Sequence, residues 1–177
     1  MSTTENDNEP ARLAVPHRID RHLLAGLVRA VDWFDNGLQN VLASRGFKTL
    51  HRTQSMIMVH IASGIESPAD IAREMGLTRQ NVHHMAKSLI ADGLIEQALD
   101  TKDPRRSVYR LSDAASDIRG AALETLRELE AALGERIGFA EVQQLKRLLG
   151  RDWGPEVTNH NELETAVRVG PQSVGQG

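Results

Sequence analysis

The chain has no cysteine among its 177 residues. Disulfides, thiolate metal sites and thiol-based oxidant sensing are thereby excluded, and the absence fits a reducing cytoplasm. Aromatic residues make up only 3%, and Trp33, Phe34, Phe47, Tyr109, Phe139 and Trp153 are the whole set, so the core has to be aliphatic. No apolar run approaches the roughly 20 residues of a membrane helix. The polar, acidic start "MSTTENDNEPARLAVPHR" has no apolar segment behind a basic one, so no signal peptide is expected. A glycine-rich phosphate loop and a glycine-x-serine-x-glycine elbow are both missing, and Asp and His are scattered without the spacing of a catalytic centre. A cytoplasmic protein that is not an enzyme, uses no cofactor and has no membrane partner is expected.

The net charge of −3 is unevenly spread. Between Arg45 and Arg110 there are ten Lys and Arg against seven Asp and Glu, while the remainder is net −6. A mildly basic middle between acidic flanks suits contact with phosphates, because screening limits the reach of charge to about 10 Å.

Residues 1–16 lack periodicity and read as a flexible arm. From 17 to 45, Leu23, Leu24, Leu27, Val31, Phe34, Leu38, Val41 and Leu42 recur at threes and fours, which predicts a long helix. Gly26 and Gly37 inside it cost roughly 1 kcal/mol each relative to Ala and point to close helix contacts. A second helix runs from about Arg52 to Gly64. In "SPADIAREMGLTRQNVHHMAKSLIADGLIE", Ser67 is a natural N-cap, Pro68 suits the first helical position and Asp70 the first turn. Gly76 stops this short helix, Thr78 caps the next, and Gly93 ends it. "LIEQALD", the turn cluster "TKDPRR" and the alternating "RSVYRL" form a hairpin with a basic tip. Ser112 caps a long helix with one stripe of Ile118, Ala122, Leu126, Leu129, Leu133 and Ile137. A last helix spans about Ala140 to Leu149, and 154–177 are expected to be a disordered tail.

Two short helices about a glycine turn suggest a helix-turn-helix, with Ala72, Gly76 and Val82 at suitable spacing. On the second helix Val82, Met85, Ala86, Leu89 and Ile90 form the core face. Arg79, Gln80, His83, His84 and Lys87 fall opposite or at its edges. Residues at the start of such a helix reach base edges in the major groove. Arg79 suits guanine, Gln80 or Asn81 suits adenine, and Thr78 and Lys87 suit phosphates. Helical neighbours diverge by about 100°, so His83 and His84 are poorly placed to chelate one metal ion. An edge-packed histidine beside a solvated one is the plain alternative to DNA contact.

"ADIAREMGLTRQNVHHMAKSLIADGLIE" followed by "DTKDPRRSVYRLSDAA" resembles the MarR family of bacterial transcription regulators, over roughly Leu24 to Leu149. The resemblance implies a mainly α fold with a small β-hairpin wing: a winged helix-turn-helix lobe over 48–111 within a domain over 17–150. Helices over 17–45 and 112–150 would form a homodimer. It further implies that Thr78, Arg79, Gln80, Asn81, His83, His84 and Lys87 line the major groove of an operator. Lys102, Arg105 and Arg106 would form the wing tip, with Asp103 orienting an arginine by a salt bridge. The wing departs from the family's usual pattern at Lys102 and Pro104, which leaves open whether Arg105 or Arg106 enters the groove. The implied function is a ligand-responsive repressor on a pseudo-palindromic operator, with a small, often aromatic effector in a cleft; Trp33, Phe34 and His60 are candidates to line it. The long apolar stripes independently call for a partner helix, and a two-fold dimer would set the recognition helices about 34 Å apart. A metal-responsive regulator using dispersed histidines (His17, His22, His51, His60, His160) is one alternative. A winged helix that binds a protein and never touches DNA is another, against which the cationic face of Thr78–Lys87 speaks.

Overall fold

The computed structural model describes residues 22–101 and 103–168. Its elements are α1 (Leu23–Ser44), α2 (Arg52–Ala62), α3 (Pro68–Glu74), α4 (Arg79–Ala91), β1 (Ile95–Leu99), β2 (Ser107–Leu111), α5 (Ser116–Ile137), α6 (Phe139–Leu149) and α7 (His160–Arg168). Two compact units divide the chain between Ala132 and Leu133, within α5. No helix among the described residues is long and apolar enough to cross a membrane. The arm at 1–16, the predicted helix start at 17–21, Lys102 and residues 169–177 lie outside the described residues.

The core of the first unit is small and aliphatic. Ile57 and Ile61 of α2, Ile71 and Ala72 of α3, and Val82, Ala86 and Leu89 of α4 meet Leu94, Ile95, Tyr109 and Ala115 there. Each fully buried large side chain stabilises the fold by roughly 1.5–3 kcal/mol. Strands β1 and β2 pair antiparallel, with Ile95 opposite Leu111 and Gln97 opposite Tyr109. The Tyr109 amide donates to Glu66 O at 2.9 Å, which ties the loop before α3 to the wing.

Helices α1 and α5 approach closely where α1 has no side chain. A Cβ built on Gly37 would meet Leu129 Cδ2 at 2.9 Å, whereas one on Gly26 would meet nothing within 4 Å. Of the two glycines expected at helix contacts, Gly37 alone is at one. Arg45 pairs with Glu124 at 2.8 Å and Glu128 at 3.2 Å across the same seam. The stripe predicted on α5 is therefore spent partly inside the chain: Ile118, Ala122 and Leu126 share a cavity with Leu38 and Leu42 of α1. Asp35 of α1 is buried and accepts a hydrogen bond from Ser55 Oγ at 2.5 Å, and Arg52 pairs with Asp32.

In the second unit, Gly138 precedes α6 and Val142 is buried. A Cβ on Gly134 would stand 2.5 Å from the Phe139 ring, so glycine is needed where ring and helix meet. In the tail expected to lack order, α7 forms over His160–Arg168. Its start has a physical reason: Asn159 Oδ1 accepts from the Glu162 amide at 3.0 Å, and Glu162 accepts from the Thr158 amide at 2.8 Å. The first bond satisfies an amide that opens the helix, and the second ties the chain before the cap to its first turn.

Candidate nucleic-acid interface

The turn between α3 and α4 is built by glycine. Gly76 takes φ +62°, a left-handed conformation that other residues adopt at a cost, and the Leu77 amide returns to Ala72 O at 2.8 Å. Thr78 then caps α4 by accepting from the Asn81 amide at 3.2 Å. Ser67 sits at the N-cap of α3 as predicted, but its side chain makes no capping bond. Ser112 does cap, though it caps a short 3-10 turn, Asp113–Ala115, that leads into α5.

These caps fix the rotation of α4. Val82, Ala86 and Leu89 are 0% exposed and wall the core. Thr78, Arg79, Gln80, Asn81, His83, His84 and Lys87 are all exposed. The structure sorts them into two grooves. Arg79 and His83 line one with Arg106 of the wing and Asp70 and Arg73 of α3. His84 and Lys87 line another with Lys48, His51 and Gln54. Thr78, Gln80 and Asn81 line neither groove. The adjacent histidines thus serve different grooves, and among the described residues no three His, Asp or Glu side chains converge as a metal site requires.

At the wing tip, Asp103 Oδ1 accepts from Arg105 Nε at 3.1 Å, and Asp103 Oδ2 pairs with Arg106 Nε at 3.4 Å. Both arginines are held by one carboxylate, but their positions differ. Arg105 is 91% exposed at the tip, while Arg106 joins the groove of α4. The side-chain and backbone hydrogen bonds of Arg105, with Arg106 nearby, hold Asp103 below the ordinary aspartate range. A lowered folded value means that the favourable interaction is complete above the unfolded pKa, near 4, and is lost as pH falls through the lower folded value. We expect the Asp103 carboxyl carbon to titrate below that of a model aspartate by NMR, and Arg105→Ala to move it upward.

Several participants are not legible from the sequence. Arg73 of α3 pairs with Asp70 at 2.7 Å beside Arg79, and Lys48 pairs with Asp92 at 2.7 Å beside Lys87. Tyr109 reaches His83 Nδ1 at 2.6 Å. The basic count between Arg45 and Arg110 includes the two cations, but nothing in the spacing brings them to α4.

Trp33, Phe34 and His60, expected from the resemblance to line an effector cleft, stand apart from the aliphatic cavity of the first unit. This cavity of about 390 Å³ lies among α1, α2, α5 and the root of the wing, lined by aliphatic residues including Leu42, Met58, Val59 and Leu126, with Gln39, Ser55 and Arg119 as its polar groups. Trp33 and Phe34 stack edge-on against each other at 4.9 Å, and His60 Nδ1 bonds to Met56 O of its own helix at 2.8 Å. Their polar or aromatic edges are engaged locally instead.

A short helix, a glycine turn, a second helix with an exposed cationic face, and an arginine-tipped hairpin beside it define a winged helix-turn-helix protein. Residues 48–106 match the MarR family model. The transcriptional regulator AdcR of Streptococcus pneumoniae is 30% identical over 69 residues, 39% of this chain; the matched stretch spans about half of that relative's length, 47%. Among solved structures, CouR from Rhodococcus jostii, bound to p-coumaroyl-CoA, is similar over 81% of this chain and 99% of its own, at 18% identity and TM-score 0.58. A MarR-family regulator from a Rhodococcus species is similar over 75% and 93%, at 18% identity and TM-score 0.56. Over residues 48–106, a third of the chain that holds the helix-turn-helix and most of the wing, the protein is similar to the MarR family of transcriptional regulators.

Proposed function

We propose that this chain is a cytoplasmic, homodimeric repressor that binds a pseudo-palindromic DNA operator and releases it when a small molecule occupies the cavity beneath the wing. The observation that carries this is the outer face of α4 with its cap, Thr78: seven exposed polar or basic side chains, two of them sharing a groove with Arg106. Helix α4 enters the major groove with its first turns, where Arg79 pairs with guanine and Gln80 or Asn81 with adenine. The wing follows the neighbouring backbone or minor groove, with Arg105 furthest out. Lys87 and Lys48 contact phosphates on the other side of α4.

The dimer follows from apolar surface left over. Leu24, Val28 and Val31 of α1 are 63%, 49% and 40% exposed, and Phe139, Leu148 and Leu149 of α6 are similarly bare. The cavity supports a small effector, as does the ligand of the similar Rhodococcus jostii structure, but its aliphatic lining suits a flexible apolar body more than a stacked ring. Binding there favours one arrangement of helices over another and shifts the population away from the DNA-competent one.

Selection of bound sequences from random duplex DNA tests the proposal; an inverted repeat is expected, and no enrichment refutes it. On the selected operator, Arg79→Ala costs roughly 1–3 kcal/mol and relaxes preference at one base pair. Arg105→Ala and Arg106→Ala lower the slope of log affinity against log salt by about one for each phosphate no longer neutralised. Unchanged selectivity in the first variant, or an unchanged slope in both others, removes the corresponding assignment.

A further inference from the structure

The strongest unexplained feature is a bond between the wing and α4. Tyr109 of β2 is 2% exposed, yet its hydroxyl lies 2.6 Å from His83 Nδ1, with the two rings edge-on and 6.0 Å apart. A buried phenol has one proton to place. When the hydroxyl donates to this ring nitrogen, Nδ1 of a neutral imidazole is the acceptor. The imidazole proton accordingly resides on Nε2. Burial also raises the pKa of the Tyr109 hydroxyl, which keeps that proton in place. His83 is itself exposed and lines the groove that holds Arg79 and Arg106. The edge that Tyr109 leaves free is therefore a donor.

We propose that Tyr109 is a positioning residue for recognition: it holds His83 as the Nε2–H tautomer, so that His83 donates one directed hydrogen bond to an acceptor on the duplex, a purine N7 or a phosphate oxygen. This rests on the reading of α4 as the DNA-facing helix. The charged groups around His83 are Arg79 and Lys87 one turn away on α4, Arg106 from the wing, and Asp70 and Arg73 from α3. Three arginines already supply positive charge there. A neutral imidazole of fixed tautomer adds direction, and the bond to β2 makes that direction depend on the wing.

Two measurements decide it. Nitrogen–proton correlation spectra of the full chain without DNA, near pH 8 where histidine is neutral, should show His83 as the Nε2–H tautomer; in Tyr109→Phe, which keeps the ring and removes the hydroxyl, it becomes a mixture. The Nδ1–H form in the parent overturns the proposal whether or not DNA binds. On the selected operator, His83→Ala and Tyr109→Phe each weaken binding about tenfold, and the double variant is no weaker than His83→Ala alone. Losses that multiply in the double variant mean that Tyr109 acts on structure only, and overturn it. Single 7-deazapurine and single methylphosphonate substitutions then locate the acceptor: one of them weakens the parent and leaves His83→Ala unaffected. A deazapurine hit identifies a base, a methylphosphonate hit a phosphate, and no hit overturns the proposal. Failure to bind any duplex removes the DNA reading and this contact with it, while the tautomer spectrum still reports on the bond between Tyr109 and His83.

Discussion

Leu89→Ala should lower the unfolding free energy by about 2–5 kcal/mol, the largest loss expected from any single truncation in α4. Leu89 is 0% exposed and stands on α4 with Val82 and Ala86, two turns and one turn before it, against Ile57, Ile71 and Tyr109. Truncation removes apolar surface from the core and leaves a void. The void stays open because its walls come from α2, α3 and β2, elements that the wing hairpin and the bond from Tyr109 to Glu66 hold in place. Domains of this size are typically stable by only about 5–15 kcal/mol, so a large share of the total is at stake. Lys87→Ala, on the exposed side of the same helix, should change stability by no more than about 0.5 kcal/mol. Urea unfolding followed by circular dichroism measures both. A loss under about 1 kcal/mol for Leu89→Ala would mean that α4 is not seated on this core, and the rotation that exposes the seven polar side chains would lose its basis.

The same helix shows what a sequence reveals and what it hides. Thr78, Gly76 and Pro68 act on backbone groups within a few residues, so their effect can be read locally, and the bounds of α3 and α4 follow from them. The alternation in "RSVYRL" similarly marks β2 and the inward side of Tyr109. The exposed set on α4 follows from helical period alone. The bond from Tyr109 to His83 joins residues 26 apart, and the register of the wing against α4, which creates it, is a property of the packed core. The cavity escapes a reading of the sequence for a related reason. Aromatic residues near a helix interface look like ligand walls, but Trp33 and Phe34 satisfy each other, and the cavity is formed where aliphatic side chains of three helices fail to fill the space. Helix α7 is hard to see because its capping residue, Asn159, lies in a run rich in polar residues, where one capping side chain resembles loop.

Leu24→Glu with Val28→Glu should convert a dimer into a monomer that remains folded. The two positions are separated by one helical turn on α1 and belong to the stripe that continues to Val31, all of it left open in the single chain. In an isolated protomer the new carboxylates stand in water, and a surface change of this kind alters stability by no more than about 0.5 kcal/mol. In a dimer that covers this face, each carboxylate would be taken from water into an apolar seam, and the two-fold axis doubles the number. Unpaired buried charge costs several kcal/mol, and every 1.4 kcal/mol or so is about tenfold in affinity, so dimerisation should weaken by roughly 1,000-fold or more. Operator affinity falls with it, because a second half-site bound through a linked subunit profits from an effective concentration that a free monomer lacks. A single half-site duplex should still bind, weakly and with the selectivity of the parent, since Arg79 and the wing are untouched. Sedimentation equilibrium gives the mass, urea unfolding the stability, and anisotropy on full and half operators the affinities. An unchanged dimer mass would exclude this face of α1 from the interface; a monomer that bound the full operator as tightly as the parent would show that two linked recognition helices are not what gives the protein its affinity.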